Sequence, residues 1–243
     1  MTISRYRYDE GFSSALVVVA HPDDVDFGSG GTIAYLTDHG VRVAYCLVTS
    51  GDAGGDDSTI PREERSALRE TEQTAAAKVL GVTDLTFLHW PDGQVEVTLE
   101  LRRDIARVIR RVRPELVITQ SPERNYARVR ASHPDHMAVG EATLRAIYPD
   151  ARNPHAFPEL LAEGLAPHVV PLVWIAGSPE PTIAIDTTKR IARKVEALSC
   201  HASQVGDAAA LGERIRANDT ANAERAGLRA GHTGELFRVV ATD

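Results

Sequence analysis

Residues 15–24 read ALVVVAHPDD, and this stretch decides the fold. Ala15 to Ala20 is a short, unbroken, β-branched run without polar alternation, the pattern of a strand buried on both faces of a parallel sheet. Gly30 and Gly31 then open a helical segment ending at Gly40, and VRVAYCLVT follows at 41–49. Strand, helix and strand in succession make a βαβ unit.

The alternation continues outward. Residues 61–80 favour a helix, with proline at its entry, Gly81 as its stop, and Leu68, Ala75, Val79 and Leu80 as its expected buried stripe. LTFLHW at 85–90 reads as a third strand, 99–112 as a helix ended before Pro114, and 115–120 as a fourth strand. A helix from Pro134 to about Ala146 follows, then a long irregular connection over 149–171. Residues 169–176 and 182–187 read as later strands, Pro171 suggesting an edge or a bulge, with a helix from Thr188 to about His201. Residues 208–230 suit a surface or subunit-contact helix, and ELFRVV near the end suits a returning strand. The fold class expected is α/β: a Rossmann-like, mostly parallel sheet with helices on both faces. One domain over 1–243 is expected, with a core at about 15–205 and a C-terminal extension at about 206–243.

Composition narrows the function classes. The chain has 243 residues, 43% of them hydrophobic, and 34 acidic against 27 basic residues give a net charge of −7. That balance argues against a general nucleic-acid binder, which needs a basic face. Two cysteines, Cys46 and Cys200, support neither a disulfide framework nor a cysteine-based zinc site. Asp9 and Glu10 interrupt any leader-like start, and no apolar run reaches membrane-spanning length, so a cytoplasmic protein with no membrane partner is expected.

In an open α/β sheet, ligands sit beyond the carboxyl ends of the strands. His21-Pro22-Asp23-Asp24 follows the first strand immediately, and a second tetrad, His133-Pro134-Asp135-His136, opens a helix. Close carboxylates repel unless a cation or a proton separates them, and positions i and i+3 of a helix converge on one face. A His, Asp, His set leaves a fourth position for water, as in catalytic zinc sites, and a remaining Asp can serve as base. Asp135 reads as a helix-start residue.

AHPDD at 20–24 and HPDH at 133–136 together resemble the PIG-L/LmbE family of zinc-dependent N-acetyl sugar deacetylases. Similarities of lesser specificity are GGT at 30–32, VTSGDAG at 48–54, Arg69 with Glu72, LGV at 80–82, PDG at 91–93 and HASQ at 201–204. The resemblance implies that His21, Asp24 and His136 hold Zn2+, with Fe2+ as an alternative in cells. It implies that Asp23 is the general base on the metal-bound water and that His133 assists as a cation or acid. It also implies a small amino-sugar substrate and a trimer or hexamer. The chain departs from many relatives at Val25, where they carry Glu, and at Ala131, where some carry a Tyr that Tyr126 is expected to replace.

Arg69, Tyr126 and His201 are the expected substrate contacts, although Arg69 with Glu72 also suits a solvated helix pair. His89 reads as structural. Arg124, Arg128 and Arg130 offer a basic stretch for a phosphate or an acidic sugar. Two other readings stay open: an amidase of another sugar-linked amide, and a non-catalytic nucleotide-binding or regulatory module suggested by Val25, Ala131 and the glycines at 28, 30 and 31.

Overall fold

The computed structural model describes residues 2–8, 11–55, 57, 59–127, 129 and 132–242. β2 (Ser14–Val19) is buried along its whole length because it lies between β3 (Arg42–Thr49) and β5 (Leu116–Gln120), with helices above and below. Strand side chains alternate between faces. Ala15, Val17 and Val19 therefore join one core with α1 (Asp24–Asp38) and α2 (Arg62–Val79), while Leu16, Val18 and Ala20 join another with α3 (Leu99–Val112) and α4 (Pro134–Arg145). The unbroken apolar run is two half-cores read in alternation.

Eight strands form one sheet in the order β1-β7-β8-β6-β5-β2-β3-β4. β4 is Asp84–Trp90, β6 Leu172–Ala176 and β7 Ile183–Asp186, and the short β1 (Ser4–Tyr6) had no sequence signal. All are mutually parallel except β8 (Gly234–Ala241), which runs antiparallel between β6 and β7. Residues 206–243 thus supply an interior strand, so a boundary near 205 does not describe the sheet. β8 follows α8 (Ala208–Arg225), which lies beyond α6 (Ile191–Ser199) and the short α7 (Ala202–Val205). The connection over 149–171 carries the short α5 (Pro158–Ala162) after a kink at Tyr148, whose backbone is extended at φ −137° and ψ 117°. Pro171 precedes interior strand β6 and marks neither an edge nor a bulge.

Two helices differ from expectation for stated reasons. α1 begins at Asp24, six positions before the glycines. These lie inside the helix because a neighbour needs the space: a Cβ on Gly31 would stand 2.7 Å from the Thr187 side chain. α2 buries Arg65, Arg69, Glu72, Gln73, Ala76 and Ala77, whereas Leu68 is exposed. Its inward face is polar because it borders a site.

α4 is pressed onto the end of β5 through Gly140, where a Cβ would lie 2.3 Å from the Gln120 carbonyl oxygen. That contact is backbone and cannot rotate away. Gly140→Ala is expected to cost about 1–3 kcal/mol through overpacking, read as a lower denaturation midpoint with unchanged m-value.

Candidate active site

The chain runs from β2 outward to β3 and β4, then returns to place β5 on the other side of β2. The carboxyl ends of β2 and β5 therefore flank a topological switch point, the ligand crevice of open α/β sheets. His21 to Asp24 follow β2, and His133 to His136 follow β5 at the start of α4. The sheet thus brings the two tetrads together.

Three ligand-type groups converge: two imidazole nitrogens and the Asp24 carboxylate. His21 Nδ1 lies 3.2 Å from His136 Nε2, one Asp24 oxygen lies 3.1 Å from His136 Nε2, and the other lies 3.3 Å from His21 Nδ1. Ligands at about 2.0–2.1 Å from a tetrahedral ion are separated by about 3.3–3.4 Å, close to the separation of the two imidazole nitrogens and of His136 Nε2 from its nearer Asp24 oxygen. The imidazole tautomer also fits. His21 Nε2 contacts Asp92 Oδ1 at 3.0 Å and Asp135 Oδ2 at 3.2 Å. A proton on Nε2 is held there by the two carboxylates, and in the neutral ring that a bound metal would require, Nδ1 would face His136 and Asp24.

Other groupings of possible ligands are His21, His133 and His136, and His21, Asp92 and Asp135. In the latter, Asp135 already accepts N–H bonds from Gly93 and Val95, and Asp92 accepts one from Ala53. These carboxylates orient His21. In the former, His133 Nδ1 accepts the Asp135 N–H and so caps α4.

Burial opposes the charged form of His21, but Asp135, Asp24 and Asp92 outweigh it and push its pKa up to about 12. Burial would raise Asp24, yet His136 and His21 hold it well below the usual carboxylate range. His133 is lowered by burial and by the two other imidazoles. Burial and the neighbouring Asp24 charge push Asp23 up to about 7, against the pull of Arg69, His201 and His21.

Asp23 sits in the left-handed region at φ 84°, a conformation that Asp and Asn tolerate better than most residues. Its N–H donates to Gln73 Oε1 at 2.8 Å, and Arg69 Nη2 donates to its carboxylate at 3.1 Å. Arg69 also donates to the carbonyls of Pro22 and Gly51. It is buried and so is not a solvated helix pair, and its Nη atoms hold the Asp23 carboxylate and these two carbonyls. His201 is 0% exposed, and its Nε2 lies 2.9 Å from Asp26, which accepts from Gln73 Nε2. It supports the network behind Asp23. HASQ further ties Ser203 to Glu72 of α2 through two hydrogen bonds.

Tyr126 is 85% exposed on the loop before α4, Arg124 is exposed beside it, and Arg128, Arg130 and Ala131 lie outside the described residues. Val25 is buried in the core. Asp92, Gln73 and Asp26 were not singled out from sequence as site residues. PDG read as a turn, while Gln73 falls four positions after Arg69, a spacing that places both on one helix face. Cys46 and Cys200 are unpaired, and burial pushes the Cys46 thiol up to about 12. No helix among the described residues is long and apolar enough to cross a membrane.

Comparison with known proteins follows the same line. Residues 16–147 match the family model PIG-L, GlcNAc-PI de-N-acetylase, over more than half of the chain. The diacetylchitobiose deacetylase of Thermococcus kodakarensis is 32% identical over 202 residues, covering 82% of this chain and 74% of that protein. A probable N-acetyl-alpha-D-glucosaminyl L-malate deacetylase 2 of Bacillus anthracis is 32% identical over 196 residues, covering 78% and 80%. Among solved structures, N,N'-diacetylchitobiose deacetylase from Pyrococcus horikoshii superposes with a TM-score of 0.87 at 28% identity, covering 96% of this chain and 85% of that one. The site at the switch point and these matches lead to one assignment: the chain belongs to the PIG-L family of de-N-acetylases.

Proposed function

We infer that this protein is a zinc-dependent hydrolase that removes the N-acetyl group from an N-acetylglucosamine-containing substrate. In this reading His21, Asp24 and His136 hold the metal, and Asp23 is the general base. The observation that carries it is the convergence of His21 Nδ1, His136 Nε2 and the Asp24 carboxylate, with contacts of 3.1–3.3 Å, beside a carboxyl group poised near neutrality. When bound, zinc supplies Lewis acidity toward the acetyl carbonyl and lowers the pKa of a coordinated water to about 7. The same two-imidazole, one-carboxylate set also suits Fe2+, so metal content is part of the test.

Asp23 accepts the proton of the attacking water as the C–O bond forms. A base with a pKa near the working pH is best placed both to take that proton and to return it. Gln73 and Arg69 hold its backbone and carboxylate in place. His133 is neutral, and because its Nδ1 accepts the Asp135 N–H, its ring proton sits on Nε2, where it donates to the developing oxyanion. Asp23 then returns the proton to the nitrogen as the C–N bond breaks, leaving acetate and a free amine. Of the glycines that invite a nucleotide-binding reading, Gly30 packs against Lys194 and Gly31 against Thr187.

The test incubates metal-loaded protein with N-acetylglucosamine and its glycosides, reading acetate and primary amine in equal amounts. Release of neither from any of them overturns the reading. Because Asp23 acts deprotonated, kcat/KM is expected to rise with pH along a limb with its midpoint near 7. Arg69 pulls that midpoint down, so Arg69→Gln is expected to move the limb to higher pH. An unmoved limb removes Arg69 from its role on the base.

A further inference from the structure

A cavity of about 370 Å³ opens at the far edge of the sheet, between β1, the outer end of α1 and the turn that joins β7 to α6. Tyr6 and Tyr35 give it an aromatic wall, and Arg5, Arg7, Lys189 and Arg190 line it with one carboxylate, Asp186. In a chain of net charge −7, that is a local reversal of sign.

The cavity stands apart from the metal-type site. In the strand order β7 is four places from β2, about 19 Å at the usual spacing of hydrogen-bonded strands. α1 bridges the two regions: Asp24 opens it beside His21, and Tyr35 sits about 16 Å further along at 1.5 Å per residue. Their charges are opposite, since Asp24, Asp92 and Asp135 crowd around His21.

The walls are pinned by bonds between different segments. Asp186, the last residue of β7, accepts from Arg5 Nη2 at 2.7 Å, from the Thr188 hydroxyl at 2.6 Å and from His232 Nδ1 at 2.9 Å. Burial would raise its carboxyl, but Thr188 and His232 hold it below the usual range. Asp186 therefore stays an anion that anchors Arg5. Thr188 Oγ1 also accepts the Thr233 N–H at 3.1 Å, which ties the turn to the start of β8. On the opposite wall Arg190 donates to Asp38 at 3.0 Å, with its guanidinium 5.2 Å from the Tyr35 ring centroid, a cation–π contact. The Tyr35 hydroxyl accepts the Tyr8 N–H at 2.8 Å and holds the chain after β1 against α1. Tyr6 packs edge-on against Trp174, their centroids 4.9 Å apart.

Pairing within this frame leaves charge over. Asp186 takes Arg5, and Asp38 is shared by Arg190 and Arg193. Arg7 and Lys189 are exposed, and neither has a carboxylate partner among the described residues. A monoanion matches only one of these two cations, whereas a phosphate monoester, at about −1.5 to −2 near pH 7, matches both. Ammonium and guanidinium groups are the standard partners of phosphate oxygens. The volume lies in the range of small-molecule sites and is several times that of a phosphate group. With two tyrosines on the wall, the remaining space suits an organic substituent.

We propose that this cavity is a binding site for a small phosphate monoester, its charge met by Arg7 and Lys189 and its organic part laid against Tyr6 and Tyr35. The site lies outside the hydrolytic centre and does not depend on the deacetylase reading.

The test is calorimetric titration of the metal-loaded chain at low salt with phenyl phosphate, inorganic phosphate, benzoate and phenol. One phenyl phosphate is expected to bind per chain, with inorganic phosphate and benzoate at least fivefold weaker and phenol without measurable heat. Lys189→Glu should weaken phenyl phosphate at least tenfold and Arg7→Ala at least threefold, while Lys189→Arg retains wild-type affinity. Wild-type Tm in these variants assigns the loss to charge and not to unfolding. Because phosphates also coordinate metals, the same titration is run on folded His136→Ala, which removes a metal-type ligand and leaves the cavity intact, and binding should persist there. Absence of saturable binding, full affinity in Lys189→Glu, or loss of binding in His136→Ala with an unchanged Tm overturns the site. Equal affinity for inorganic phosphate or for benzoate overturns the assignment to a phosphate monoester.

Discussion

Asp23→Asn is expected to retain one metal ion per chain and to lose turnover by about 10²–10⁴-fold, the contribution of a well-placed general base. The substitution removes little else. Asparagine tolerates the left-handed backbone that residue 23 adopts at φ 84°, and its amide oxygen still accepts from Arg69 Nη2, which lies 3.1 Å from the present carboxylate. The ligand set of His21, Asp24 and His136 stays intact. His136→Ala removes one member of that set and is expected to lose metal and activity together. Metal analysis with acetate release separates the two variants, and full activity in Asp23→Asn would sink the assigned base.

The largest stability effect is expected far from the chemistry, at Lys194. Its ammonium lies 2.7 Å from Glu235 and 2.9 Å from Asp219, all three side chains 1–2% exposed. Glu235 also accepts the N–H groups of Gly31 and Thr32, so the cluster ties α6, α8 and β8 to α1. Burial disfavours the Lys194 charge, but Glu235 and Asp219 hold its pKa above the usual value. Lys194→Ala leaves two buried carboxylates without a cation, which costs about 3–5 kcal/mol, or about 6–20 °C in Tm for a chain of this size.

The pH dependence has a definite sign. Burial raises Asp219 even with the lysine present. Without it, the folded variant binds protons more tightly than the unfolded chain, so its stability falls as pH rises. The deficit against wild type should therefore shrink on acidification. A deficit below about 1 kcal/mol at pH 7 would mean that the cluster is neutralised by other means.

The sequence by itself determined most of the elements and the family, and it supplied the candidate site residues. β2 was readable because burial on both faces leaves no polar residue in six positions, and α3 was bounded to the residue by its apolar periodicity and Pro114. His21, Asp23, Asp24, His133 and His136 were readable because each set is contiguous and follows a strand or opens a helix. What depends on pairing across long separations was not. That β8 enters antiparallel between β6 and β7 follows from hydrogen bonds to strands some fifty to seventy residues away. Local periodicity carries no trace of that choice. Of the apolar stripe expected on α2, Val79 and Leu80 join the core, but toward the site the face is polar, because Arg69 and Gln73 are buried against Asp23 from another element. His201 reads as a pocket residue from HASQ, and only the fold brings it onto Asp26, 175 positions away. A side chain's type is written in the chain, but its partner is decided by packing.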